Sequence, residues 1–117
     1  MVYGTGSPSH PSVAALAAVE VRDEDRKEAE KLKNAGNEHL TAGRAPLAID
    51  CYTKAINLDP RNAVFYCNRA AAFTKDGKFE AAIKDCQEAT LIDPNYAKAY
   101  SRLGYILDSY VHLLNCV

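Results

Sequence analysis

The sequence predicts an all-α fold of stacked antiparallel helix pairs, and three observations carry that expectation. Residues recur at a fixed step of 34: Pro60 and Pro94 (94 − 60), Gly43 and Gly77, Ala48 and Ala82, Ala55 and Ala89, Tyr66 and Tyr100, with Gly36, Ala70 and Gly104 as a three-member series. A period of this length with small residues at set places marks a repeated helix-turn-helix unit. Breakers then separate the helical stretches, at Gly43 to Pro46, Asp59-Pro60, Asp76-Gly77 and Asp93-Pro94. Strand signals are few, and those in "AVFY" and "YVHLL" fall inside helical periodicity.

The elements follow in order. Residues 1–12 hold two Gly, two Pro and three Ser without an apolar pattern, so a disordered N-terminal segment is expected over 1–22. Helix signal begins in "RDEDRKEAEKLKNAGNEHL", whose acidic start suits the positive end of a helix dipole. Helices are expected at about 24–41, 46–58, 61–75, 79–91 and 94–109. Asp59 and Asp93 are read as N-caps, with the following Pro as first helical residue. Small side chains let the helices of a pair approach, while Leu32, Tyr66 and Tyr100 fill the space beside them. A pair cannot bury its apolar face alone, so the pairs stack into a curved array. The repeat domain spans 23–109, with units at about 29–62, 63–96 and a partial third at 97–109, followed by a divergent tail at 110–117.

Composition narrows the function. The 117 residues suffice for one domain. A net charge of -1 disfavours nucleic acid and anionic membrane as partners on bulk electrostatics. No apolar stretch approaches the length of a membrane span. Residues 13–19, "VAALAAV", lack the preceding basic residues of a secretory signal. Cys51, Cys67, Cys86 and Cys116 form no C-x-x-C and are expected as free thiols in a reducing, cytoplasmic setting. Cys86 reads as a small core filler and Cys67 as facing the inner groove. With only His10, His39 and His112 to help, no metal site is expected, and His39 reads as a packed core residue. No catalytic constellation, phosphate loop or cofactor motif is present, so an enzyme is not expected.

The informative anomaly is Asn68, set with Arg69 inside the apolar run "AVFYCNRAAAF". Asn is a poor helix-interior residue because its side chain competes for backbone hydrogen bonds. Lys33 and Asn37 are four apart and share a helix face, and Lys98 and Arg102 repeat that spacing. Asn68 lies one period before Arg102 (102 − 34), on the same face of the helix between them. Lys33, Asn37, Asn68, Lys98 and Arg102 are thus expected to converge on one concave groove, with three cations, two amides and no acid. Such a set suits closely spaced carboxylates: the cations give charge-assisted hydrogen bonds and the amides add directional donors. Leu40, Ala71 and Lys75 fall on the same face as secondary contacts. Arg69 is expected to face outward or to pair with an acid.

These residues resemble the tetratricopeptide repeat family. Leu32, Ala35, Gly36, His39, Ala48, Tyr52, Ala55 and Pro60 match its pattern in the first unit. Tyr66, Ala70, Phe73, Ala82, Ala89 and Pro94 match it in the second, where Arg69 and Cys86 depart; Tyr100, Leu103 and Gly104 match it in the third. "AEKLKNAGNEHL", "NAVFYCNRAAAF" and "DPNYAKAYSRLGYIL" are similar to the family's small glutamine-rich co-chaperones, of dicarboxylate-clamp type. That resemblance implies a tetratricopeptide solenoid with an incomplete third repeat. It also implies that the five groove residues form a clamp for the terminal Asp of the EEVD tail on heat-shock chaperones of the seventy and ninety classes. Two alternatives are a targeting fragment of a larger enzyme and a self-associating scaffold without a peptide ligand. "YILDSYVHLLNCV" offers no Gly or Pro for a turn, so the last helix can run on. Leu103, Leu107, Val111 and Leu114 then form an apolar stripe, a candidate self-association surface.

Overall fold

The computed structural model describes residues 20–116, so the expectations for residues 1–19 of the N-terminal segment, including the apolar run at 13–19, fall outside the described residues, and residues 20–22 precede the first helix. Five helices follow one another: α1 Asp23–Thr41, α2 Ala45–Leu58, α3 Ala63–Lys75, α4 Phe79–Ile92 and α5 Ala97–Asn115. No strand occurs among the described residues. Helices α1 with α2, and α3 with α4, form antiparallel hairpins; α2 packs on α3 and α4 on α5. Contacts of α1 with α3 and of α3 with α5 align these three along one side of an array extending 54 × 30 × 28 Å.

Each hairpin turn repeats the same backbone geometry. Gly43 has φ +82° and Gly77 φ +76°, the left-handed conformation that glycine adopts without a Cβ penalty. Around Gly43, its own N–H donates to the Leu40 carbonyl (3.0 Å) and the Arg44 N–H to the His39 carbonyl (2.8 Å). One period later Gly77 donates to Thr74 (3.1 Å) and Lys78 to Phe73 (2.8 Å). This is the Schellman closure, which satisfies the last carbonyls of α1 and α3. The corresponding position in the third unit is Val111 (77 + 34), and there α5 continues unbroken to Asn115.

The Asp-Pro pairs close helices instead of opening them. Asp59 and Asp93 are the C-caps of α2 and α4, each donating its backbone N–H back to Ala55 or Ala89. Helix α3 starts only at Ala63, capped by the Asn62 side chain, which accepts from the Val64 N–H (3.0 Å). The Asp93 carboxylate accepts from the Asn95 N–H (3.1 Å) and holds the turn before α5. The prolines serve a second purpose: the Tyr66 hydroxyl donates to the Pro60 carbonyl (3.2 Å) and the Tyr100 hydroxyl to Pro94 (3.0 Å). Tyr66 is buried as expected, but Tyr100 is half exposed, because α5 is followed by no helix among the described residues.

Close packing within a pair rests on complementary sizes. Gly36 faces Tyr52: a Cβ at Gly36 would lie 2.6 Å from the ring. The corresponding positions in the second pair are Ala70 and Cys86 (52 − 36 and 86 − 70 are both 16), which share a fully buried cluster with Ala82 and Ile106. The departure from an aromatic at Cys86 is matched by the larger residue opposite. Burial pushes the Cys86 thiol up to about 12, so it stays protonated and inert. Cys67 is buried too, in the cluster with Phe65, Tyr66 and Ala99, and does not face the groove.

Arg69 ties three helices together. Its guanidinium donates to both Asp85 oxygens on α4 (2.7 and 2.8 Å) and to the Thr53 hydroxyl on α2 (3.1 Å). It also lies 5.8 Å from the Tyr66 ring centre and 5.5 Å from that of Phe73. Burial alone would lower the Arg69 pKa, but the hydrogen bonds and charge of Asp85 outweigh it and the net direction is upward. Of the two expectations for Arg69, pairing with an acid is the one realised.

A glycine exchange tests the size-matching account. Gly36→Ala is expected to cost about 1–3 kcal/mol through overpacking against Tyr52. Gly104 has no atom within 4 Å of where a Cβ would stand. Gly104→Ala is therefore expected to be neutral or to stabilise by about 1 kcal/mol, the helix preference of Ala over Gly. Thermal melting of both variants at low protein concentration checks the contrast; equal effects would contradict it.

Candidate binding groove

Helices α1, α3 and α5 carry the expected groove residues, and the structure joins two of them, Asn37 and Asn68, directly. The buried Tyr52 ring reaches past Gly36, and its hydroxyl donates to the Asn37 Oδ1. The same oxygen accepts from the Asn68 Nδ2 (3.3 Å), which joins α1 to α3. Both lone-pair directions of that oxygen are thereby occupied by protein donors, which turns the Asn37 Nδ2 outward as a donor. Burial, helped by Cys51 and partly opposed by Arg102, pushes the Tyr52 hydroxyl up to about 12, so it remains a donor throughout the physiological range.

Arg102 on α5 acts on the same point. Its positive charge reaches Tyr52, Tyr96 and Cys86 and favours the ionised form of each, a smaller effect than their burial. Its Nε is buried and has no hydrogen-bond partner among the described residues. A buried guanidinium N–H left unmatched is uncommon and costly, and it marks a place where an acceptor fits.

The two lysines are placed differently. Lys33 is mostly buried along its stem and its Nζ meets the Glu30 carboxylate at 2.8 Å, so an acid does stand beside the groove cations. Glu30 is half exposed, and surface pairs at this spacing contribute only about 0–1 kcal/mol, so a ligand carboxylate can displace it. Lys98 is exposed at the start of α5 and makes no ion pair among the described residues. Of the secondary positions, Leu40 is half-buried against Ala48, Tyr52 and Ala72; Ala71 is half-buried on α3; Lys75 is exposed in its last turn. His39 is half-buried and its Nδ1 accepts from the Arg44 Nε (3.1 Å), a bond that braces the α1–α2 turn.

Sequence reasoning missed Tyr52 as the residue that orients Asn37, and Glu30 as the partner of Lys33. The second was accessible as an i,i+3 acid–base pair. The first was not, because it depends on a ring passing over a glycine in three dimensions. A cavity of about 440 Å³ lies elsewhere, lined by Tyr66, Phe73, Leu91 and the Arg69–Asp85 pair. Arg69 and Asp85 there are bonded to each other, and Lys84 and Glu88 also line it. No cluster of three or more metal-ligating side chains occurs among the described residues, and no helix there is long and apolar enough to cross a membrane.

Comparison with known proteins agrees with this architecture. Models described as "Tetratricopeptide repeat" and "TPR repeat" match residues 63–96 and 36–77. The small glutamine-rich tetratricopeptide repeat-containing protein 2 of Mycosarcoma maydis is 48% identical over 87 residues, 74% of this chain and 25% of that protein. The chain spans about a quarter of the length of the small glutamine-rich relatives it matches. Among solved structures, the second TPR of Spaghetti bound to the HSP90 peptide SRMEEVD is 38% identical with a TM-score of 0.70, covering 79% of this chain and 84% of that one. The second TPR domain of human RPAP3 in complex with the HSP70 peptide SGPTIEEVD is 38% identical with a TM-score of 0.69, covering 78% and 75%. Fold, repeat register and sequence together establish that the chain belongs to the tetratricopeptide repeat family, with small glutamine-rich members among its relatives.

Proposed function

We propose that this chain is a co-chaperone adaptor module that captures the C-terminal EEVD tails of heat-shock chaperones of the seventy and ninety classes. It works as a binding module in the cytoplasm, a setting that its free thiols fit, and not as an enzyme. Lys33, Asn37, Asn68, Lys98 and Arg102 form the dicarboxylate clamp. The reading rests on the unmatched Arg102 Nε on α5 together with the Tyr52–Asn37–Asn68 hydrogen bonds that orient the two amides. A terminal Asp supplies two carboxylates within one residue. One accepts from Asn37, Asn68 and Lys33; the other accepts from Lys98 and Arg102. Leu40, Ala71 and Lys75 contact residues upstream of the terminus. The TPR domains of similar sequence solved with HSP90 and HSP70 peptides ending in EEVD support the choice of ligand.

Titration with a peptide ending in EEVD, against the same peptide amidated at its C-terminus, tests the proposal. A charge-assisted hydrogen bond contributes roughly 1.5–3 kcal/mol, so amidation is expected to weaken binding by on the order of ten- to a hundred-fold. Lys98→Ala and Arg102→Ala are expected to do the same with helicity retained, and binding should fall as salt screens the open groove. Equal affinity for the two peptides would overturn the proposal.

Tyr52→Phe isolates the orienting bond. The ring stays packed over Gly36, but Asn37 loses the donor that turns its amide. Peptide affinity is expected to fall by roughly five- to ten-fold, for a loss of about 1 kcal/mol in amide orientation. Unchanged affinity by calorimetry would show that the hydroxyl has no part in binding.

A further inference from the structure

The repeat register brings one acid to the groove. Glu30 and Lys98 are two periods apart (98 − 30 = 68, twice 34), so Glu30 stands in the first unit where Lys98 stands in the third. Glu30, Lys33, Asn37 and Leu40 follow at steps of three, four and three, one stripe along α1. The Lys33 Nζ donates to the Glu30 Oε2 at 2.8 Å. The Lys33 side chain is 20% exposed against 53% for Glu30, so Lys33 is the sheltered partner and Glu30 the one free to swing away. Glu30 makes no other ion pair among the described residues. It is the eighth residue of α1, beyond the first turn where an acid supports the helix dipole, and Asp23, Glu24 and Asp25 already fill that turn. Neither helix start nor packing explains the carboxylate; its one partner is a groove cation.

We propose that Glu30 is a built-in competitor for the groove: its carboxylate holds Lys33 and must give way before a ligand carboxylate takes that place. This role rests on the clamp reading above and adds to it how the clamp is regulated. The exchange replaces one Lys–carboxylate pair by another, so Lys33 returns little net affinity to the acid that reaches it. An isolated acidic side chain therefore gains almost nothing at Lys33. A terminal Asp still binds, because its second carboxylate reaches Lys98 and Arg102, neither of which pairs with an acid among the described residues. Glu30 thus holds the affinity of the groove below what its cations alone would give, and it retakes Lys33 as a ligand leaves.

Calorimetric titration of Glu30→Gln with a peptide ending in EEVD is the test. Gln keeps the side-chain length and nearly the helix preference of Glu, so circular dichroism is expected to be unchanged. A half-exposed pair is weak, so freeing Lys33 is expected to tighten binding by about two- to five-fold. In a Lys33→Met background the gain from Glu30→Gln is expected to be largely lost, because no ammonium is left to compete for. Unchanged or weaker binding by Glu30→Gln, while the unaltered chain binds the peptide, would overturn the role of Glu30 and leave the clamp standing. The full gain in the Lys33→Met background would also overturn it, since the carboxylate would then act without occupying Lys33. Failure of the unaltered chain to bind the peptide would remove the clamp and this role with it.

Discussion

The approach of Tyr52 to Gly36 is the constraint on which the groove depends. The ring occupies the volume that a Cβ would take, and this brings a phenol from α2 through to the inner face of α1. Its hydroxyl then fixes one amide, and that amide accepts from a second on the neighbouring repeat. Buried polar groups are tolerated only when bonded, so the Tyr52 hydroxyl and the Asn37 oxygen hold each other in place. The second helix pair has no such junction, because the Cys86 side chain opposite Ala70 is too short to carry a hydroxyl across the pair.

Polar interactions divide between the two sides of the array. Arg69 and Asp85 satisfy each other in a bidentate pair that also engages Thr53, and so they brace α2, α3 and α4. Arg102 occupies the position one period later than Asn68, with its Nε unmatched. Two arginines only 33 residues apart (102 − 69) thus have opposite assignments: one is consumed by structure, the other retains a donor for a ligand.

Much of the architecture was legible in the period of 34, because small residues at Gly36, Ala48, Ala55, Ala70, Ala82 and Ala89 repeat wherever helices must approach. The shared face of Asn37 and Asn68 was legible from the same register. Helix starts were less so: Asp-Pro is chemically suited to open a helix, yet the backbone uses Asp59 and Asp93 to close the preceding one. Burial of Tyr100 failed because side-chain pattern describes what a residue can fill, not whether a neighbour arrives. The link from Tyr52 to Asn37 was invisible because a hydrogen bond across a glycine has no periodic signature. The apolar stripe expected on α5 is exposed at Leu107, Val111 and Leu114 but not at Leu103, which packs against Ala70, Ala82, Cys86 and Ile106.

The most direct test of the groove account is an NMR titration of the side-chain N–H signals with a peptide ending in EEVD. The account predicts that the Asn37 and Asn68 amide resonances and the Arg102 Nε–H shift together, with the Arg69 Nε–H unmoved in its bond to Asp85. Shifts at Arg69, with Asn37, Asn68 and Arg102 unchanged, would contradict it.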